Sequence, residues 1–396
     1  MRIRTTALSL MLVAAVLTGC SGDPPTAPGR AAGKAAPAPP SPARFRIPSG
    51  GDLPGWSHSV GFSADGSGFA LLAQCTREPA EPDQSSCRQH LAALDAGADA
   101  WTLRTSPLPD IRGGDGVTAA LTVLGPGRAL VAEGAGDPDR TWFTRDGGRS
   151  WMPGTTKPSG VVGAIGPSAA LRAQCVEEAD ENSCAKSRIV AVMPDTGQLR
   201  ALAAQPPLRG PMEPAGDLPD GSRWVSGLDP ETGAPALAVT RDGARSWTTA
   251  SLPGAPRSGW SLRVASGKGV VYAAQPGGLP AAERVKNGLL AVYRSTDDGA
   301  TWAKVWTFRK GREPRSILGG LIAAQDGSVT VHGEHGVHRS TDGGRTFRPA
   351  GDGGLAGSVG WTPLGYLWSD SYGHGRYRLS ADGVRWQAFT LGSGSH

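Results

Sequence analysis

Beyond the first forty or so residues, apolar residues along this chain come in short runs, each closed by glycine or a polar turn, and none repeats with a helical period. Ser59-Val60-Gly61-Phe62 followed by Gly68 to Ala73 shows the unit near one end, and Ser358-Val359-Gly360-Trp361 followed by Tyr366 to Trp368 shows it near the other. Between them the same order recurs: an apolar strand, a glycine-rich turn, a second apolar strand, a variable polar loop, then a strand that enters a fixed turn. Such a pattern predicts an all-β chain of four-stranded antiparallel units.

The fixed turn is clearest as STDGGRTF from Ser340. It returns as TRDGGRSW from Thr144, TRDGARSW from Thr240, STDDGATW from Ser295 and, one residue shorter, SADGVRW from Ser380. An Asp carboxylate can accept backbone N–H bonds inside such a turn, glycine can take positive φ, and the closing aromatic enters the next strand facing a core. The aspartates Asp146, Asp242, Asp297, Asp342 and Asp382 are 96, 55, 45 and 40 residues apart. Worn copies at Asp95-Ala96-Gly97, with Trp101 as its aromatic, and at Pro194-Asp195-Thr196-Gly197 bring the anchors to seven.

This signature resembles Asp-box, or BNR, repeats, which mark one turn in each blade of a β-propeller. The layout is similar to the photosystem II assembly-factor-like group within the sialidase-like superfamily. The resemblance implies a seven-bladed propeller over residues 44–391, with six blades as the alternative and 392–396 as a tail. It speaks for architecture, because the box occurs in proteins of unrelated activity. Arg44 to Pro48 is expected to close the ring beside the last strand.

At the amino end, Arg2 and Arg4 precede an apolar stretch, Ala7 to Leu17, too short for the roughly 20 residues of a membrane-spanning helix. Leu17-Thr18-Gly19-Cys20 resembles a bacterial lipobox, which implies a signal peptide over 1–19 and a lipid on Cys20. Residues 20–43 are rich in Pro, Ala and Gly and read as a flexible tether. The chain carries a net charge of +5, and +3 without Arg2 and Arg4, too little to suggest nucleic acid.

Four cysteines remain. Ala73-Gln74-Cys75 and Ala173-Gln174-Cys175 each end an apolar strand, and each is followed by a polar loop leading to Cys87 or Cys184. Cysteines at the mouth of one hairpin face each other, so Cys75 is expected to pair with Cys87 and Cys175 with Cys184. Metal spacing of the C-x2-4-C kind is absent.

If the fixed turn joins third and fourth strands, the loops between second and third strands lie at the opposite end of the ring. They carry Glu78, Glu81 and Asp83, then Glu133, Asp137 and Asp139, then Glu177, Glu178, Asp180 and Glu181, then Asp229 and Glu231. Later blades place Arg284, Lys286, His374 and Arg376 in such loops, and Arg309, Lys310, Arg312 and Arg315 in a crossing. The expected function is binding of an envelope protein or glycan ligand through this bipolar end. The expected protein is a monomeric extracytoplasmic lipoprotein held at the membrane by its lipid anchor, without catalysis, cofactor, metal or nucleic acid.

Phe45-Arg46-Ile47-Pro48 resembles the F-R-I-P motif of sialidases, whose arginine helps to hold a sialic acid carboxylate. The alternative reading is therefore an exo-sialidase or related glycoside hydrolase with Arg46, Arg376 and Tyr372 as site residues, and with Asp52 or Asp65 as the acid. His332, His335 and His338 have spacing that invites a metal. On a hairpin turning at Glu334-His335, however, His332 and His338 point to opposite faces.

Overall fold

The computed structural model describes residues 46–393, apart from 77–84, 113–118, 135–139, 181–182, 258, 284, 352–356 and 371–373. The chain divides into two units, Met1–Pro42 and Ala43–His396. The expected signal peptide, Cys20 and the expected tether lie outside the described residues, as does Tyr372.

The second unit is a seven-bladed β-propeller, one sheet following the next, each of four strands, with Ile111–Arg112 added to blade 1 as a fifth beside Ser86 and Cys87. Blade 1 consists of Trp56–Phe62, Gly68–Thr76, Ser86–Leu94 and Thr102–Arg104, and blade 2 of Ala119–Gly125, Arg128–Glu133, Arg140–Thr144 and Met152–Pro153. Blade 4 is Arg209–Asp217, Arg223–Leu228, Pro235–Thr240 and Thr248–Ser251, and blade 5 is Arg263–Gly267, Val270–Gly277, Gly288–Ser295 and Ala303–Thr307. Blade 6 holds Ile322–Ala323, Val329–Gly333, Gly336–Ser340 and Arg348–Pro349, and blade 7 holds Gly357–Thr362, Gly365–Asp370, Arg376–Ser380 and Gln387–Thr390.

Blade 3 departs from the expected pattern. Ala170–Asp180, Ser183–Val192 and Leu199–Leu202 are antiparallel, but the outer edge is Val161–Val162 running parallel to Leu199–Leu202. The segment arriving from blade 2 passes along that short strand, and bonds such as Ala201 N–H to Gly160 O (2.9 Å) satisfy its outward edge.

The middle strands of a blade are pressed between two neighbouring blades. They therefore read as unbroken apolar runs without alternation: Phe69 to Ala73, Ala236 to Val239 and Leu289 to Val292 are all buried. Fourth strands face water, and Thr248–Ser251 is mostly exposed. Closure uses Ile47 to Gly50, which runs beside the outermost strand of blade 7. Gln387 Nε2 donates to Ile47 O (2.9 Å), Gly50 N–H to Thr390 O (2.8 Å), and Gly50 lies parallel to Leu391. Ile47, Phe62 and Trp101 then share a core with Tyr377 and Phe389, joining blades 1 and 7.

The recurrent turns act through their carboxylates. Asp242 Oδ1 accepts the N–H groups of Arg245 and Ser246, each at 3.0 Å, and Oδ2 accepts the Ser246 hydroxyl at 2.6 Å. The Thr240 hydroxyl completes the set, donating to Oδ1 at 2.9 Å. Asp146 and Asp342 repeat these bonds. The two worn copies differ: Asp195 bonds to Arg128 (2.7 Å), and Asp95 to Arg104 (3.2 Å) and Arg149 (3.0 Å).

Both disulfides form as expected, Cys75–Cys87 and Cys175–Cys184. In blade 1 Cys75 is opposite Cys87 while Gly68 is opposite Leu94, so cystine and turn sit at opposite ends of one strand pair. A chain with Cys75→Ser and Cys87→Ser is expected to lose about 3 kcal/mol of stability, because its unfolded loop is no longer closed. A urea midpoint unchanged from wild type would contradict this.

Candidate functional site

Among the described residues two large parts of the ring are open to ligands, beside a smaller groove between blades 5 and 6. The first is the end bearing the second-to-third-strand loops. Glu177, Glu178 and Glu231 there are exposed, as are Lys286, Arg309, Lys310 and Arg312, and none of them has an ion pair among the described residues. Several expected charges turn out to be structural. Glu133 pairs with Arg140 at 2.8 Å, Arg315 with Glu313 at 2.8 Å and Arg376 with Asp370 at 2.8 Å. Asp229 Oδ1 caps its own loop through the Glu231 and Thr232 N–H groups. Glu78, Glu81, Asp83, Asp137, Asp139, Glu181 and Arg284 lie outside the described residues.

The second is a cavity of about 1030 Å³ among the first strands of blades 1, 2 and 7 and the first-to-second-strand turns of blades 3 and 4. Ala64, Pro126, Gly221, Gly243 and Pro363 in its walls put much of it on the side of the carboxylate turns, away from the cystines, which the sequence did not indicate. The walls are small, apolar or hydroxylic, with Val60, Thr122, Ile165, Ser358 and Trp361 among them. Asp217 and Arg223, directly opposite each other in blade 4, add charge. Arg223 is 6% exposed; its Nη2 donates to Gly166 O (2.9 Å), while Nη1 has no partner. Burial raises the pKa of Asp217, and the Arg223 charge offsets part of that rise. The other carboxylate, Asp220, accepts the Ser222 N–H (2.9 Å) and hydroxyl (2.6 Å) and is committed to its turn. The cavity thus offers one uncommitted carboxylate, whereas glycoside hydrolysis by the usual route uses two.

Sequence reasoning missed a second family of turns, between first and second strands. Asp65, Asp220 and Asp326 each accept the N–H and hydroxyl of the serine two residues on. The signal was present as D-G-S at 65–67, 220–222 and 326–328.

Of the sialidase-like residues, Arg46 is exposed at the outer rim, next to Ile47 and the Gln387 end of blade 7's last strand. Arg376 is opposite Thr390, three residues further along that strand, or about 10 Å. Neither lines the cavity, so the structure does not bring the two together at the channel. Asp65 serves its turn and Asp52 is exposed near the closing segment. In blade 6 His332 stands opposite Val337 and His338 opposite Val331, which sends their side chains to opposite faces.

No family model and no curated protein matches this chain. Among solved structures, the GH74 enzyme of Niastella koreensis is 14% identical, with 84% of this chain and 54% of that one covered and a TM-score of 0.27. The chain therefore spans about half the length of that enzyme. YCF48 bound to D1 peptide is 16% identical over 69% of this chain and 68% of its own, at a TM-score of 0.28. The hydrazine synthase of Kuenenia stuttgartiensis is 14% identical over 86% and 96%, at 0.43. At these identities the likeness concerns the fold alone.

Proposed function

We propose that this chain is a lipid-anchored, extracytoplasmic recognition propeller that holds a protein or glycan ligand on its second-to-third-strand loop end and performs no chemistry there. The reading rests on one observation. Two disulfide-closed hairpins, in blades 1 and 3, stiffen that end, and beside a mixed region, where Lys186 faces Glu177 and Arg257 stands next to Glu231, it presents an exposed basic cluster at Lys286, Arg309, Lys310 and Arg312 without an ion pair among the described residues. Disulfides belong to an oxidising compartment, which supports export. A basic cluster of this kind steers and orients an acidic partner.

Capture from envelope extract is the test. Reversal of Arg309 and Lys310 to Glu is expected to weaken retention about tenfold or more, with strong salt dependence. Retention equal to wild type at low salt would sink the proposal. No fluorophore release from a sialoside is expected from wild type or from Arg46→Ala; release by wild type, lost in that variant, would replace binding with hydrolysis.

A further inference from the structure

The turns of blades 2 and 6 share the sequence Asp-Gly-Gly-Arg, at 146–149 and 342–345, and each packs against the preceding blade. Their surroundings differ at one point. A Cβ placed on Gly147 would lie 2.8 Å from Arg149 Nη1 and 3.2 Å from Asp95 Oδ1 of blade 1. A Cβ placed on the equivalent Gly343 would lie 3.5 Å from Arg345 Nη1 and 3.4 Å from Arg294 Nε of blade 5. Where the first groove has a carboxylate that clamps Arg149 and Arg104, the second has another guanidinium.

In the second groove the cations outnumber the carboxylates. Arg294 Nε is buried without a partner, and Arg294 and Lys268 have no ion pair among the described residues. Lys268 adds a third cation from the turn of blade 5, in the left-handed region at φ 53. Asp342 lines the groove as an anion, its oxygens occupied by the Ser340 and Thr346 hydroxyls and the Arg345 and Thr346 N–H groups, but its counterpart Asp146 is present in the first groove too, so the difference is the missing Asp95. The groove encloses about 350 Å³ and also presents Thr341 and Ser328. Three cationic side chains around a half-open groove, against one carboxylate, leave a net positive charge that suits a compact, multiply charged oxyanion.

We propose that the groove between blades 5 and 6 binds a phosphate or sulfate monoester, whose oxygens take the place that Asp95 fills between blades 1 and 2. Arg294 and Arg345 converge on the anion from the two blades, and Lys268 reaches it from the rim. The site is on the side of the carboxylate turns, away from the loop end proposed above, and does not depend on that reading.

The test is thermal unfolding of the non-acylated full-length chain with inorganic phosphate, against sodium chloride at matched ionic strength. Phosphate is expected to raise the melting temperature saturably, and Arg294→Gln or Lys268→Gln to weaken its apparent affinity about tenfold. Arg149→Gln, in the clamped groove, should leave the phosphate response intact. Arg294→Glu should supply the carboxylate that blade 1 has, so that the variant melts no lower than wild type and ignores phosphate. Glucose 6-phosphate and soluble dihexanoyl phosphatidic acid separate the sources, the tighter of the two marking a sugar phosphate or a lipid headgroup. Equal shifts with phosphate and chloride, or an unchanged phosphate response in Arg294→Gln, would overturn the proposal.

Discussion

Trp224→Ala is expected to lower the stability of the ring by about 3 to 5 kcal/mol, the range for deleting a large aromatic from a closed core. Trp224 is 1% exposed, on the second strand of blade 4, and makes an edge contact with Trp302 of blade 5 at 6.0 Å between ring centroids. Its Nε1 donates to the Ser222 hydroxyl (3.0 Å), and the Arg241 guanidinium lies 5.8 Å from the ring centroid. The turn of blade 5 rests on the indole. Gly299, at φ 86, comes so close that a Cβ there would lie 2.1 Å from the ring. Truncating the indole therefore leaves a cavity between two blades that the rigid turn cannot refill. Urea unfolding followed by tryptophan fluorescence and by circular dichroism reads the effect, and a loss below about 1 kcal/mol would show that the blades close over the gap.

Acid is expected to destabilise the protein in two stages with separate causes. His332 is held neutral by burial, with the Arg378 charge adding to the effect, and its pKa is pushed down to about 4. An unfolded histidine takes up its proton near pH 6.5, so between there and about pH 4 the unfolded chain binds the extra proton. Stability then falls with pH, by about 3 kcal/mol across that window. Glu213 and Asp217, whose pKa values partial desolvation raises although both side chains reach water, act with the opposite sign and blunt this first stage.

The second stage belongs to the turns. In Asp242 and Asp297 hydrogen bonds, the Ser246 or Thr301 hydroxyl first, hold the pKa at about 2. In Asp146 and Asp382 burial opposes the shift, but hydrogen bonds outweigh it and the value is again about 2. Unfolded aspartate titrates near 3.9, so the contribution of these carboxylates is complete above about pH 4 and is lost as pH falls through about 2. Burial also lowers the pKa of His58, His90 and His338, so His332→Gln should make the melting temperature less steep between pH 7 and pH 5 without flattening it, and leave the steep limb below pH 4. Identical profiles for variant and wild type would assign the first stage elsewhere.

Blade number, the separation of turns from cystines and the cystine pairing were legible in the residues. Each depends on chemistry within a few positions: a carboxylate facing amides three and four residues on, or two cysteines across one hairpin mouth. The outer edge of blade 3 was not legible, because Val161 and Val162 meet their partner strand only after the intervening chain has folded. Arg46 illustrates the same limit, since a four-residue resemblance carries no information about whether the segment ends at the channel or at the rim.

What the order of residues determined by itself is the ring, since local turns and unbroken apolar runs suffice to specify sheets that bury both faces against their neighbours. Which charges meet was decided only by tertiary structure. Asp-Gly-Gly-Arg occurs twice, and nothing within either copy distinguishes them; one arginine finds Asp95 and the other finds Arg294, because the preceding blade supplies the residue that faces it. Electrostatic partners act through space over a few ångströms, and in a propeller the residues that close on one another come from sheets about fifty positions apart.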